Sequence, residues 1–421
     1  MSESRGADSL PRLARDWHRV PLHEVAEVRT GLAVGKTDLR DPVEVPYLRV
    51  ANVQNGRLNL AVVKRILVER NQVARYSLHR GDILMTEGGD FDKLGRGDVW
   101  NGQIDPCLHQ NHVFAVRPKP NLVDSYFLAA QAASEQGRLY FLSCAKRSTN
   151  LASINSSQLK KFPVLLPPLM EQQKIARILA CWDEAIVATE RLLARSKGQR
   201  KALTQQLLTG RNRLSPFSEK WKSIRFDQVF SRVRRKNTIG NDTVLTISGR
   251  LGLVSQRDFF NKNVASDNLT TYTLVRRGEF AYNKSYSAGY PYGAIKPLER
   301  YEEAVVSSLY LCFAFKTPDE HCHDFFRHYF EAGCFNREIY ATAQEGARNH
   351  GLLNVSAVDF FNARLLIPER SEQKAIADAI NLAARESQNL ENQRDVLCAQ
   401  KKALMQKLLT GKHRVTLDSA A

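Results

Sequence analysis

The chain lacks the marks of several large protein classes. Its 421 residues contain no apolar run approaching the length of a membrane span. The opening stretch, MSESRGADSLPRLARDW, has no hydrophobic signal core, so a frayed tail on a cytoplasmic protein is expected. Seven cysteines (Cys107, Cys144, Cys181, Cys312, Cys322, Cys334 and Cys398) include no C-x-x-C pair, and the odd number reads as reduced thiols. Only Cys312, Cys322 and Cys334 cluster with histidines, His321 and His323, and their intervals do not fit a structural zinc site. There is no N-P-P-Y or D-P-P-Y tetrapeptide of an amino-methyltransferase, no glycine motif for S-adenosylmethionine, and no nuclease-type acidic cluster followed by lysine. GLAVGKT, at 31–37, has three residues between its glycines where a phosphate-binding loop needs four, and no strong apolar strand leads into it. These absences argue against intrinsic catalysis. Acidic residues are also in deficit: 44 Asp and Glu face 61 Lys and Arg, a formal charge of +17. The sequence pI near 9.6 points to a polyanionic partner, most simply nucleic acid.

What the chain does have is a repeat. EQQKIARILACWDEAIVATERLLARSKGQRKALTQQLLTG, from Glu171 to Gly210, returns as EQKAIADAINLAARESQNLENQRDVLCAQKKALMQKLLTG, from Glu372 to Gly411, without a gap at an offset of 201 (372 − 171 and 411 − 210). Lys201, Ala202, Leu203, Gln205, Leu207, Leu208, Thr209 and Gly210 reappear as Lys402, Ala403, Leu404, Gln406, Leu408, Leu409, Thr410 and Gly411. Both copies are free of proline and rich in helix formers, with prolines just ahead and glycine at the stop. So long a period is beyond the solenoid range and means a duplicated domain with its own trailing helix. Steps of three and four connect Leu179, Trp182, Ile186, Thr189, Leu193, Ser196, Arg200, Leu203 and Leu207, and the same frame runs from Ile380 to Leu408. That is a heptad seam with an impure middle. Paired antiparallel about a local two-fold axis, Trp182 would meet the Leu404 end and Leu203 would meet Ala383, large against small. The alternative is two amphipathic helices, each packed on its own domain.

The segments between the helices also repeat. Trp17 opens one half and Trp221 the other; Gly81-Asp82 leads into Ile83-Leu84-Met85 as Gly278-Glu279 leads into Phe280-Ala281-Tyr282. Asn55-Gly56 signals a hairpin, Ser125 to Ser143 and His323 to Tyr340 look helical, and Val305 to Phe315 reads as one strand. After the glycine-acid pair the halves diverge completely, into TEGGDFDKLGRGDVW and NKSYSAGYPYGAIK. One scaffold thus carries two different reading heads. The fold class is α+β: two tandem globular domains, 17–168 and 221–368, joined by long helices at 169–210 and 369–411 in an antiparallel coiled coil with pseudo-two-fold symmetry. A linker at 211–220 and tails at 1–16 and 412–421 complete the chain.

At these residues the chain resembles the specificity subunit of type I restriction–modification enzymes. The carriers are the duplicated E-Q-x-x-I-A … K-A-L-x-Q-x-L-L-T-G helix, the LLPP and LIPE segments leading to it, and the two loops GGDFDKLGRG and AYNKSYSAGYPYGAIK. The likeness extends over nearly the whole chain beyond the N-terminal tail; the second proline segment departs from the usual LPPL, with the proline kept. The resemblance implies that each half is a target recognition domain reading one half of a split site in double-stranded DNA. It implies that the helices fix the separation and dock two methyltransferase subunits for adenine N6 methylation. Restriction subunits would add ATP-dependent cleavage in defence against foreign DNA. The chain itself would hold no cofactor: S-adenosylmethionine, ATP and Mg would be bound by the partner subunits.

The loop chemistry agrees with that expectation, because base edges are read by Arg, Lys, Asn, Gln and Ser. In the first half, Gly88 and Gly89 let backbone approach a duplex, and Lys93 and Arg96 can reach phosphate or guanine. Asp90 and Asp92 can accept a cytosine amino group or orient Lys93 and Arg96. In the second half, Asn283, Lys284, Ser285, Tyr286, Tyr290 and Tyr292 form a polar-aromatic surface, asparagine being the natural partner of adenine. The competing reading is a Gly/Pro/Tyr turn packed on its own sheet. Polar loops before each long helix add Arg147, Ser148 and Asn150, and Arg348, Asn349 and His350, as phosphate or base contacts or as helix caps. Two rivals are weaker: a stand-alone nucleotide-handling transferase would need a cofactor motif, and a purely structural coiled-coil adaptor would not need two divergent loops.

Overall fold

A computed structural model describes residues 16–33, 39–89, 94–147, 152–249, 251–260, 268–287, 289–342 and 353–416. The chain forms two compact units, residues 1–190 with 392–421, and residues 191–391. The boundaries fall inside the two long helices, Leu169–Leu208 and Arg370–Leu408, so each unit owns half of each helix.

The two units share a plan. In the first, His18–Pro21 pairs antiparallel with Pro163–Leu166, the strand that leads into the first long helix. In the second, Lys222–Arg225 pairs antiparallel with Arg364–Ile367, which leads into the other. Each unit then has an antiparallel four-stranded sheet of the same order. The strands are Ala26–Thr30, Val113–Pro118, Ile83–Thr86 and Gly97–Val99 in the first unit, and Phe230–Val233, Leu311–Phe315, Phe280–Asn283 and Ala294–Pro297 in the second. A second sheet in each mixes directions: Leu108–His109 runs parallel to Pro42–Leu48, as Glu303–Val306 runs parallel to Val244–Ser248. Asn55-Gly56 does close a hairpin, between Val53–Gln54 and Arg57–Leu58, with Gly56 at φ +66° as such a turn requires.

Three sequence expectations change in detail. Val305 to Phe315 is two strands in two sheets, split by a turn in which the Tyr310 amide donates to the Ser307 carbonyl at 3.0 Å. An apolar run does not reveal a polar turn that merely moves the chain from one sheet to the next. The stretch from Ser125 breaks at Ser134, whose hydroxyl caps Glu135–Cys144 by accepting from the Gly137 amide at 3.1 Å. The stretch from His323 similarly breaks near Gly333, at φ +74°.

The cores are unequal in chemistry. The first is mostly aliphatic around Phe114, Phe127 and Phe141. The second is a phenylalanine cluster in which Phe226 touches Phe230, Phe313, Phe335 and Phe360 at centroid distances of 4.7–5.2 Å. Helix His323–Glu331 contributes Phe325, Phe326, Tyr329 and Phe330 from one face. Each fully buried ring contributes about 3 kcal/mol through removal from water, with edge-on stacking adding to it.

The repeated motifs have a mechanical explanation. Glu171 is only 1% exposed, and its carboxylate accepts from Trp17 Nε1 at 3.3 Å and from both forks of Arg414 at 2.7 Å. Glu372, also 1% exposed, accepts from Trp221 Nε1 at 3.4 Å and from Arg213 at 2.6 and 2.7 Å. The neighbouring glutamines tie helix to head: Gln172 to the Pro167 and Leu122 carbonyls and the Asp124 amide, Gln373 to the Pro368 carbonyl and the Cys322 amide. In L-L-T-G the leucine pairs 207–208 and 408–409 enter the cores, while Gly210 and Gly411 adopt φ +67° and +71° beside Trp221 and Trp17. The first tryptophan of each head, the E-Q pair and the L-L-T-G stop thus meet at one place per unit.

The seam is also observed. Within the first unit Asp183 pairs with Lys401; within the second the Ser196 and Ser387 hydroxyls meet at 2.8 Å and Lys197 pairs with Glu391 at 3.3 Å. In the first unit Glu171 meets Arg414 and Asp183 meets Lys401, and in the second Ser196 meets Ser387 and Arg213 meets Glu372; within each unit rising numbers on one segment meet falling numbers on the other, so the helices pack antiparallel. None of the residues proposed for the seam is fully exposed, and its polar middle is satisfied by the serine pair and by Thr189, which donates to the Ala185 carbonyl at 2.8 Å.

Candidate nucleic-acid interface

In the first unit the glycine-rich loop and the polar loop, far apart in sequence, form one small sheet. Gly88–Gly89 pairs antiparallel with Ala152–Ser153, which pairs with Lys146–Arg147. The Ile154 amide also donates to the Glu87 carbonyl at 2.9 Å. A Cβ on Gly88 would lie 3.1 Å from the Ala152 carbonyl oxygen, so glycine here permits strand approach as well as any approach to a ligand. Gly95 lies against the Phe141 ring and Gly97 against the Leu84 carbonyl, so close packing accounts for both. Arg96 is half-buried, and its Nε is enclosed without a partner among the described residues. Asp90, Asp92, Lys93, Ser148 and Asn150 lie outside the described residues, as does the side chain of Arg147.

The second unit uses the same convergence with different chemistry. The Leu353 amide, just after the polar loop, donates to the Lys284 carbonyl at 3.0 Å, and Lys284 Nζ returns to the Val355 carbonyl at 3.3 Å. Asn283 accepts from the Ser285 amide at 3.1 Å and donates to the Tyr310 hydroxyl at 3.3 Å. Asn283 and Lys284 therefore shape the loop that they were expected to arm. Arg348, Asn349 and His350 lie outside the described residues.

The three tyrosines separate by role. The Tyr290 hydroxyl lies 2.8 Å from the Gly249 carbonyl, 2.6 Å from the Glu331 carboxylate and 2.9 Å from Lys296 Nζ. Lys296, 7% exposed, also holds Glu331 and the Gly249 carbonyl. Burial first, and the Glu331 carboxylate second, push the Tyr290 phenol well above the usual tyrosine range, so it stays protonated. Tyr292 packs edge-on against Tyr340, with centroids 5.7 Å apart, and its carbonyl accepts from the Tyr282 hydroxyl at 2.9 Å. Tyr286 alone of the three projects, at 66% exposure, beside half-exposed Ser285. The loop is a braced platform with Tyr286 as its free aromatic.

The Lys296–Glu331–Tyr290 lock was not visible beforehand: Tyr290 and Lys296 stand in one loop motif, but the Glu331 carboxylate and Gly249 carbonyl that complete it come from distant segments with no motif in common with that loop. Exposed Leu251, Phe259 and Phe260 were also missed; they sit at or near the hairpin that supplies the Gly249 carbonyl. The cysteine–histidine group disperses. Cys312 is buried in a core, Cys334 Sγ faces the Leu208 carbonyl, and His323 Nε2 is 3.1 Å from the Gly278 carbonyl. Burial pushes the Cys312 and Cys334 thiols up to about 12. Among the described residues no three His, Cys, Asp or Glu side chains group to hold a metal ion, and no helix is long and apolar enough to cross a membrane.

The family described as "Type I restriction modification DNA specificity domain" matches residues 14–195. The putative type I restriction enzyme MjaX specificity subunit of Methanocaldococcus jannaschii is 27% identical over 199 residues, 47% of this chain and 46% of that one. The type I restriction enzyme StySPI specificity subunit of Salmonella potsdam is 29% identical over 165 residues, 38% of this chain and 35% of that one. The chain thus spans about half the length, or less, of these curated relatives. The crystal structure of the HsdS subunit from Thermoanaerobacter tengcongensis is similar over 96% of this chain and 98% of that one, with a TM-score of 0.53 at 15% identity, which shows a shared fold.

Proposed function

We propose that this chain is a specificity subunit of the type I restriction–modification kind, the DNA-reading component of a methylating and cleaving complex; the family match over residues 14–195 and the likeness to curated specificity subunits support this reading. The observation that carries the reading is the duplication: two heads of one topology, each bringing its divergent loop together with the polar loop ahead of its long helix. Identical readers would need identical loops; different loops on one frame suit the two unlike halves of a split site. Each head, 17–168 and 221–368, reads one half in double-stranded DNA. The DNA contacts of one head are assigned to Gly88, Gly89, Asp90, Asp92, Lys93, Arg96, Arg147, Ser148 and Asn150. Ser285, Tyr286, Arg348 and Asn349 form that of the other, on a platform set by Asn283, Lys284, Tyr290 and Tyr292.

The helices act as the spacer. Forty residues rise about 60 Å, enough to hold two heads one or more turns of DNA apart, where half-sites separated by about 34–36 Å face the same side. Two methyltransferase subunits dock on this frame and extrude the target adenine for N6 methylation. Restriction subunits add cleavage. The chain works in the cytoplasm and performs no chemistry itself: S-adenosylmethionine, ATP and Mg belong to the partners.

Methylation mapping tests this. Cells carrying the chain with its methyltransferase are expected to show N6-methyladenine in a bipartite sequence, and Tyr286→Ala should alter one half only. A continuous recognition sequence, or both halves altered together, would refute the assignment.

A further inference from the structure

The second unit contains a groove of about 860 Å3 between its share of the long helices, helix His323–Glu331 and the end of strand Ala294–Pro297. Its walls carry Lys197, Arg200, Lys201, Lys296, Arg300 and Arg327 against only two carboxylates, Glu299 and Glu331. Both carboxylates are already engaged, Glu331 by Lys296 and Glu299 by Arg327 at 3.5 Å. Lys197 is held by Glu391. Arg200, half-buried on the first long helix, exposed Lys201 beside it, and exposed Arg300 on the facing loop have no side-chain partner among the described residues. Three uncompensated cations therefore border one groove.

We propose that this groove binds the phosphodiester backbone of nucleic acid, apart from the recognition loops. Two arginines and a lysine along one wall and its opposite edge suit phosphates, which guanidinium groups grip in a fork and ammonium groups hold as point charges. A docked protein would call for an apolar centre depleted of charge, whereas eight of the eighteen residues lining this groove are charged, six of them cationic. Contacts of this kind position without reading sequence, so the groove adds affinity and leaves the choice of bases to the loops. The inference rests on the DNA-reading assignment only in naming the nucleic acid. Its own test needs no recognition sequence.

The full chain is titrated by anisotropy against a fluorescent 30-base-pair duplex of random sequence, from about 50 to 300 mM salt. Arg200→Gln/Lys201→Gln/Arg300→Gln should make the log–log salt slope shallower by about 2–3, close to one per lost phosphate contact. A control with equal charge loss outside the groove, Arg191→Gln/Lys374→Gln/Arg385→Gln, should change it by less than about one. Arg200 lies on the helix seam, so Lys201→Gln/Arg300→Gln, both exposed, serves as a second variant and should remove about two. Methylation mapping of the same variants should return the wild-type sequence. Equal slopes for groove and control variants overturn the proposal, as does a change in the bases read. So does a groove that binds polyglutamate while its variants keep the wild-type DNA slope. A wild-type chain with a steep slope but no bipartite methylation pattern would refute the DNA-reading assignment and leave this one standing.

Discussion

Replacing Arg213 by methionine removes both charged donors from a carboxylate that has almost no access to water. Glu372 is 1% exposed and keeps only the Trp221 indole at 3.4 Å, a long bond. Breaking a buried ion pair from one side costs about 3–5 kcal/mol, because the remaining charge is stranded. Arg213 is itself about a quarter exposed, so water can enter its place and the low end, about 3 kcal/mol, applies. For a unit of this size that lowers the thermal midpoint by about 6–12 °C. Hydrogen exchange read by mass spectrometry localises the loss: helix His323–Glu331, tied to the same corner through Gln373 and Cys322, should lose protection while Ser125–Ala133 in the first unit keeps it. Glu372→Gln in the Arg213→Met background removes the stranded charge and should restore roughly half of the loss. Arg414→Met strikes the equivalent place in the first unit, where the arginine is 41% exposed and also paired with exposed Asp16, so the effect should be smaller and confined there. Unchanged stability in Arg213→Met, or equal loss of protection in both units, would refute the view that each unit is closed by its own tryptophan–glutamate–arginine corner.

Other expectations follow from single residues. Lys296→Met should loosen the loop carrying Tyr286, weaken reading of one half-site by about 1.5–3 kcal/mol and spare the other, as methylation mapping with binding titrations would register. Burial holds His109 down at about 4 from an ordinary 6.5, so the unfolded chain takes up a proton first as pH falls. Stability should therefore drop between pH 6.5 and about 4 by an amount on the order of 3 kcal/mol, and urea titrations of His109→Gln should lack that component. The isolated chain with S-adenosylmethionine, ATP and magnesium should neither methylate nor cut DNA; robust turnover by the pure protein would refute its assignment as a reader. Repeating LLTG after Thr209 should lengthen the unread spacer by about two base pairs, since four residues add about 6 Å, and leave both half-sites unchanged in sequence.

The spine was legible because its constraint is local and periodic. A seam at steps of three and four declares which side of a helix is buried, whatever the partner, and its polar interruptions, Thr189, Ser196 and Ser387, proved to be satisfied inside rather than facing water. The duplication supplied what periodicity cannot. Two copies of Trp, E-Q and L-L-T-G marked positions under a common constraint, although only the fold shows that constraint to be a buried carboxylate between an indole and a guanidinium. The strand from Val305 failed for the converse reason. Two adjacent strands, apolar for different sheets, read as one when the turn between them is short.

The site was legible only in outline. Divergent loops on matched frames marked where reading is proposed, yet residue type alone could not separate a candidate ligand contact from a brace. Tyr286 and Tyr290 stand four positions apart in one loop; one is free, and the other is held by a carboxylate and a carbonyl from two distant segments and by the ammonium of Lys296 from the end of its own loop. Asn283 and Lys284, chosen for their affinity for bases, spend their hydrogen bonds on Tyr310, Ser285 and Val355. Both heads fasten the divergent loop to the residues that follow the polar loop, Ile154 to Glu87 and Leu353 to Lys284. That shared fastening lets one scaffold accept a new loop without a new fold: the backbone bond holds its place while side chains beyond it vary. An exchange of the loop between 87 and 97 for that of another reader should therefore transfer specificity only when residues 146–154 travel with it. Transfer by the first segment alone, measured by methylation mapping, would show that the two loops read independently.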